Sequence, residues 1–166
     1  MTPHAHHGRG RTGALALLTV SDSRDTSSDR SGALARELLE AAGHRLVDYA
    51  IVPDEPERVR GRIVAWLERD DCDGVIANGG TGISRRDRTF EAVVGLLDQR
   101  LDGFGELFRA LSFAEIGSAA MLSRAVGGIA RGKPVFALPG STAAVRLALE
   151  RLIVPELPHL FGELER

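Results

Sequence analysis

Four short loops carry the residues best suited to handling phosphate. They read Ser21-Asp22-Ser23-Arg24, Pro53-Asp54-Glu55, Gly79-Gly80-Thr81-Gly82 and Pro139-Gly140-Ser141-Thr142. Three glycines in one loop let backbone N–H groups approach phosphate oxygens, and a following helix would add its positive end. The same string also suits an ordinary strand-to-helix turn needing positive φ, and alone it does not separate the two uses. It is not a P-loop, because no Gly-Lys-Ser/Thr follows, and it is not the G-x-G-x-x-G dinucleotide fingerprint. Asp87, in Ser84-Arg85-Arg86-Asp87-Arg88-Thr89, can hold Mg²⁺ beside phosphate oxygens or can start a helix in an S-x-x-D capping pattern. Asp54 reads the same two ways, with Asp54-Glu55-Pro56-Glu57 forming a good helix start in which Asp54 is the N-cap. On the residues alone the cap is the better reading of Asp54.

The elements that must position these loops follow from hydrophobic spacing. Ala14 to Val20 is a continuous apolar run of strand length, as expected where both sheet faces are covered. Leu34, Leu38, Leu39 and Ala42 share one helix face, and Gly43 stands where a left-handed residue ends a helix. Leu46 to Val52 is a second strand. Val59, Ile63, Trp66 and Leu67 form a helical stripe, and Val75 to Ala77 a third strand running into the glycine loop. Phe90/Val93/Val94/Leu97 and Phe104/Leu107/Phe108/Leu111 each mark a helix, with a further helical stretch from Phe113 to Arg124. Val126 to Ala130 and Pro134 to Leu138 read as two strands joined by a tight turn. A last helix carries Val145, Leu149, Leu152 and Ile153 and bends or ends near Pro155. Strands alternating with amphipathic helices predict a mostly parallel sheet with helices on both faces and an antiparallel edge near the C-terminus. In such sheets ligands bind at the carboxyl ends of the strands, where all four loops fall.

Composition excludes several other functions. A chain of 166 residues suits one domain, spanning 13–166, preceded by a polar, aperiodic lead-in over 1–12 that is expected to be disordered. Its histidines His4, His6 and His7 have nothing to hold them in a coordination geometry. A net charge of -2, from 21 basic and 23 acidic residues, offers no field for polynucleotide. Cys72 is the only cysteine, so neither a disulfide nor a cysteine-built metal cluster can form within the chain. No apolar run approaches the ~20 residues of a membrane span, and the N-terminal segment lacks an apolar signal core, so a cytosolic protein is expected.

Six blocks in order resemble one family. Leu18-Thr19-Val20-Ser21-Asp22 with Asp29-Arg30-Ser31-Gly32 looks like the opening of the MogA/MoaB-type molybdenum-cofactor biosynthesis proteins. Val52-Pro53-Asp54-Glu55, Asn78 to Gly82 with Arg86-Asp87, Gly103-Phe104-Gly105-Glu106, Leu122-Ser123-Arg124-Ala125 and Leu138-Pro139-Gly140-Ser141 complete the series. Leu111 to Gly117 is most similar to the MoaB branch. The resemblance implies a three-layer α/β/α sandwich, assembled as a homotrimer or homohexamer. It implies binding of molybdopterin and, in active members, transfer of AMP from MgATP to its terminal phosphate with release of pyrophosphate. The product then passes to a MoeA-type molybdate-insertion protein. The two acidic residues of the adenylylating members fall on Asp54 and Asp87, which become the implied catalytic and Mg²⁺-holding residues. Substrate binding is implied for Ser21, Asp22, Gly79, Gly80, Thr81, Gly82, Ser123, Arg124, Pro139, Gly140, Ser141 and Thr142. Where active members read Thr-Pro-Glu-Ala, this chain reads Thr89-Phe90-Glu91-Ala92, a change that bears on where the Asp87 carboxylate sits. A non-catalytic molybdopterin-binding or scaffold protein on the same fold is the alternative.

Overall fold

A computed structural model describes residues 10–166. The expected lead-in lies outside the described residues over 1–9, and His4, His6 and His7 with it. Strand β1 (Ala14–Val20) is followed by α1 (Arg30–Ala41), β2 (Arg45–Val52), α2 (Pro56–Leu67), β3 (Gly74–Asn78) and α3 (Thr89–Val94). Then come β4 (Gln99–Arg100), α4 (Asp102–Ile116), a 3₁₀ turn (Gly117–Leu122), β5 (Val126–Ala130) and β6 (Lys133–Leu138). The chain closes with α5 (Thr142–Ala148), a π turn (Leu149–Ile153) and α6 (Val154–Leu164). The six strands form one sheet in the order β2-β1-β3-β6-β5-β4. The first four in that order run parallel, and β5 is antiparallel to both β6 and β4.

Period-two alternation sorts β1 into two cores. Leu15 and Leu17 join Leu39, Phe108, Val145 and Leu157 on the face covered by α1, α4, α5 and α6. Ala16, Leu18 and Val20 join Val59, Ile63, Trp66 and Val93 on the face covered by α2 and α3. This is the expected three-layer α/β/α arrangement. Cys72 is fully buried in the second core, as a small apolar residue would be.

Several elements differ from the spacing-based expectation. Helix α3 stops at Val94, so Leu97 falls outside it. The two helices expected across 104–124 are one, α4, ended by Gly117 at φ 66° and continued only as a 3₁₀ turn. The last helix does not end at Pro155; it widens into a π turn before Val154 and continues. Pro155 has no N–H for the carbonyl one turn back, and a widened turn accommodates that loss. Strand β4 is too short to show an alternation. The tight turn between β5 and β6 is as expected, with Arg131 (φ 51°) and Gly132 (φ 73°) as its centre. Among the described residues no helix is long and apolar enough to cross a membrane.

Candidate functional site

The chain runs from β1 out to β2 and returns to β3 on the other side of β1. That reversal opens a crevice above the carboxyl ends of β1 and β3. Ser21, Arg24, Gly79, Gly82, Asp87 and Gly140 are among the residues lining a 380 Å³ hollow there. Gly80, Thr81 and Pro139 line it too, so three of the four loops meet directly.

The glycines are required by packing before any ligand is considered. Gly79, at φ 99°, lies so close to β1 that a Cβ would stand 2.2 Å from the Val20 carbonyl oxygen. At Gly80, φ 65°, a Cβ would meet Thr89 Oγ1 at 2.2 Å and Asp54 Oδ2 at 2.5 Å. No helix begins at this loop; residues 81–88 are irregular backbone with bends and one turn, and α3 starts only at Thr89. The expected helix end behind the glycines is therefore not there. Backbone N–H groups remain available, since among the described residues those of Gly80, Thr81 and Gly82 donate no hydrogen bond.

Asp54 packs against Gly80, is not among the residues lining the hollow, and is only 9% exposed. It does not cap α2, whose N-cap is Glu55 without a side-chain bond. The capping reading of Asp54 is corrected accordingly. Its Oδ1 accepts the Arg88 N–H at 3.3 Å, and the pair of oxygens receives no other hydrogen bond among the described residues. Burial pushes its pKa up; the Arg88 N–H opposes this, while the charges of Asp87 and Asp22 add to it. Thr89 Oγ1, on the same side of Gly80, is a buried hydroxyl without a partner. A buried carboxylate oxygen beside an unpartnered hydroxyl, crowded by two more acids, is a donor set that fits a hard cation. No group of three or more His, Cys, Asp or Glu side chains could by itself cage a metal among the described residues. Mg²⁺, which keeps waters and phosphate oxygens in its shell, does not need one.

The remaining acids and arginines position the loops. Asp22 Oδ1 accepts the Asp54 N–H at 3.0 Å, and Oδ2 takes Arg86 Nη2 at 2.8 Å. The Asp54 N–H and Arg86 hold its pKa below the usual value. Asp87 Oδ2 accepts the Ser84 N–H at 2.8 Å, half of a capping box but in a turn rather than at a helix start. Arg124 staples that turn from outside, through Gly82 O at 2.9 Å, Asp87 O at 2.7 Å and Glu91. Its guanidinium lies 5.1 Å from the centre of the Phe90 ring. Phe90 is the second residue of α3, inside the first turn, where the backbone N–H is unused whichever residue stands there. Phe90 at this position therefore uses no helix hydrogen bond that a proline would forgo.

Several other expected binding residues have their side chains engaged within the protein. Ser123 and Arg124 line a separate hollow with Phe90 and Arg109. Ser141 caps α5 through the Ala144 N–H at 3.2 Å, and Thr142 is the first residue of that helix. Ser21 Oγ accepts the N–H groups of Ser23 and Arg24.

Sequence reasoning placed Arg24 in a phosphate-handling loop but missed the bonds it makes and the network beneath it. Arg24 bonds Ser31 Oγ at 2.7 Å and Gly140 O at 3.1 Å, tying the loop after β1 to the loop after β6. Asp29, the buried N-cap of α1, accepts from Thr19 Oγ1 at 2.6 Å, Tyr49 Oη at 2.5 Å and the Gly32 N–H at 3.0 Å. Burial alone would raise its pKa, but those donors and Ser31 hold it below the ordinary value. An aspartate just before a helix is the signal that could have found Asp29; nothing in an arginine-rich chain distinguished what Arg24 bonds.

The comparisons with known proteins identify the family. A family model described as "Probable molybdopterin binding domain" matches residues 16–159. The chain belongs to the MogA/MoaB-type molybdenum cofactor biosynthesis family. Within it, the Molybdenum cofactor biosynthesis protein B of Halalkalibacterium halodurans is 50% identical, over 93% of this chain and 91% of its own. A solved structure of a Molybdenum cofactor biosynthesis protein B superposes with a TM-score of 0.92 at 50% identity, covering 94% of this chain and 98% of the other. The tungsten cofactor synthesizing protein MoaB from Pyrococcus furiosus gives 0.85 at 39% identity, covering 94% and 99%. The MoaB-type chain thus carries, at the switch point of its sheet, a glycine loop packed against Asp54 and Asp87.

Proposed function

We propose that this MoaB-type protein acts in molybdenum cofactor biosynthesis by binding molybdopterin and adenylylating it. A terminal phosphate oxygen of the pterin attacks the α-phosphorus of ATP. The bond from that phosphorus to the bridging α,β oxygen breaks, and pyrophosphate leaves with the electron pair. The observation that carries this reading is Asp54: a buried, under-bonded carboxylate set against Asp87 and Asp22 beside the glycine loop. A purely structural acid would be paired or capping, and Asp54 is neither.

Asp54 and Asp87 would hold Mg²⁺, which supplies neutralisation of phosphate charge when bound. The N–H groups of Gly80 to Gly82 hold phosphate oxygens, and Asp22 keeps Asp54 and the Arg86 turn in register. Arg24 fixes the crevice width by joining its two walls. The adenylylated pterin would pass to a MoeA-type molybdate-inserting protein.

Incubation with molybdopterin, ATP and Mg²⁺ tests the reading, with adenylylated pterin and pyrophosphate as the expected products. Asp87→Asn keeps the bond from Ser84 but loses the charge, so turnover is expected to fall about 100-fold while pterin binding persists. Pterin binding without any product would leave a non-catalytic carrier or scaffold instead.

A further inference from the structure

A second hollow of 530 Å³ adjoins the glycine crevice on the outer side of the 82–88 turn. Ser84, Arg85, Arg88 and Arg124 line it, and Asp87 lines both hollows. We infer that this outer hollow takes the β- and γ-phosphates of the nucleotide and holds pyrophosphate as it leaves, while the glycine crevice takes the pterin phosphate. The inference rests on the adenylyl-transfer reading and adds to it the division of the two substrates.

Three observations carry it. First, the turn is pinned by hydrogen bonds although exposed. Arg124 fixes its backbone at Gly82 and Asp87, Ser84 N–H fixes the Asp87 carboxylate, and Arg86 is drawn the other way to Asp22. Second, two cations on this pinned turn are left over. Among the described residues, neither Arg85 nor Arg88 forms a side-chain hydrogen bond or an ion pair within 4 Å, and Arg88 acts on Glu91 only through its field. Glu91 itself is taken up by Arg124. Third, the charges match. The glycine crevice has Arg24 as its one cationic side chain among the described residues, already committed to Ser31 and Gly140, and offers mainly backbone N–H groups. That suits a single phosphate monoester. Two adaptable guanidinium groups suit the more highly charged triphosphate tail, whose oxygens they can grip in pairs.

This division places the Asp87 carboxylate between donor and acceptor phosphates. The bond that breaks joins the α-phosphorus to the bridging oxygen, and the charge that develops on pyrophosphate falls toward Arg85 and Arg88.

Calorimetry with inorganic pyrophosphate and with ATP, each with Mg²⁺, tests the assignment without needing the pterin. Arg85→Gln/Arg88→Gln is expected to weaken pyrophosphate and ATP binding at least about tenfold. The control Arg45→Gln/Arg151→Gln removes the same charge from exposed positions remote from the hollow, Arg45 at the start of β2 and Arg151 in the π turn, and is expected to bind as the unaltered protein does. Equal losses in both variants, or no loss in the first, would overturn the inference while leaving adenylyl transfer standing. An unaltered protein that binds neither probe would overturn both.

Discussion

Asp54 is a carboxylate that this fold keeps at a cost unless a cation joins it. Its folded pKa stands above the ordinary 3.8, through burial first and then the fields of Asp87 and Asp22. A raised acid pKa means the folded state binds the proton more tightly than the unfolded chain does. The stability tied to the neutral form is complete below 3.8 and is lost as pH rises through the folded value. Asp54→Asn holds the neutral form at every pH and can still accept the Arg88 N–H. It is expected to melt at or above the unaltered protein at pH 7.5, to converge with it as pH falls below 3.8, and to lose adenylylation. Thermal scans across that range check this, and a clear drop in melting temperature at pH 7.5 would restore a structural role to the carboxylate. Gly80 belongs to the same constellation. Because its φ is 65° and a Cβ would displace Thr89 and Asp54, Gly80→Ala is expected to cost about 1–3 kcal/mol in denaturant titrations. A stable Gly80→Ala protein that has lost only ligand binding would show that the loop has more room than this packing allows.

At the scale of elements, Asp29 joins α1, β1 and β2 beneath the crevice. It caps α1, and its carboxylate gathers the hydroxyls of Thr19 and Tyr49. Asp29→Ala strands those donors in a buried setting, and a loss on the order of 3 kcal/mol is expected. Tyr49 is the only tyrosine, so its ultraviolet titration reports the site alone. Burial, and then the Asp29 carboxylate, push the phenol up to about 12, and removing Asp29 is expected to bring it back toward 10.0. An unmoved phenol would mean that Asp29 does not govern this network. The contribution of Asp29 itself runs opposite to that of Asp54: its lowered pKa gives stability that is present above the unfolded value and lost in acid. The elements themselves were largely legible. Strand β1 ends where its apolar run ends, and the α2 stripe is where the spacing put it, because burial on a regular element leaves a period. The expected α1 face holds only in part: Leu39 is buried and Leu38 packs beside it, but Leu34 is only half-buried, Ala42 is exposed past the helix end, and Ser31, Gly32 and Ala35 complete the buried face. Strand β4 and the π turn were not legible, since two residues carry no period and a widened turn answers to a missing N–H. The four loops were legible as a site because strand ends place them together. Which carboxylate caps and which stays unpaired was not, since Asp54 and Asp29 both precede helices and only packing across the sheet tells them apart.

For the molecule as a whole, the question is what meets the apolar surface left outside the two cores. Among the described residues six large apolar side chains are exposed, and five of them, Leu107, Phe113, Ile116, Met121 and Leu122, fall in α4 and the 3₁₀ turn after it. Concentration in one segment is not what a monomer's scattered surface residues show. The family resemblance implies a homotrimer or homohexamer, and this segment supplies a surface for it. The segment also leads straight into Ser123 and Arg124, so what it packs against bears on the staple that holds the Gly82–Asp87 turn. Light scattering is therefore expected to give a trimer or hexamer for the unaltered protein. Phe113→Glu/Ile116→Glu changes two side chains that are 61% and 58% exposed in the single chain, so its fold should persist. Its mass should fall to that of a monomer, with weaker pyrophosphate binding as the Arg124 staple loosens. A monomeric unaltered protein over a wide concentration range would refute the assembly. A double variant that keeps its oligomeric mass would move the interface off α4, and a monomeric variant with full pyrophosphate affinity would uncouple assembly from the site.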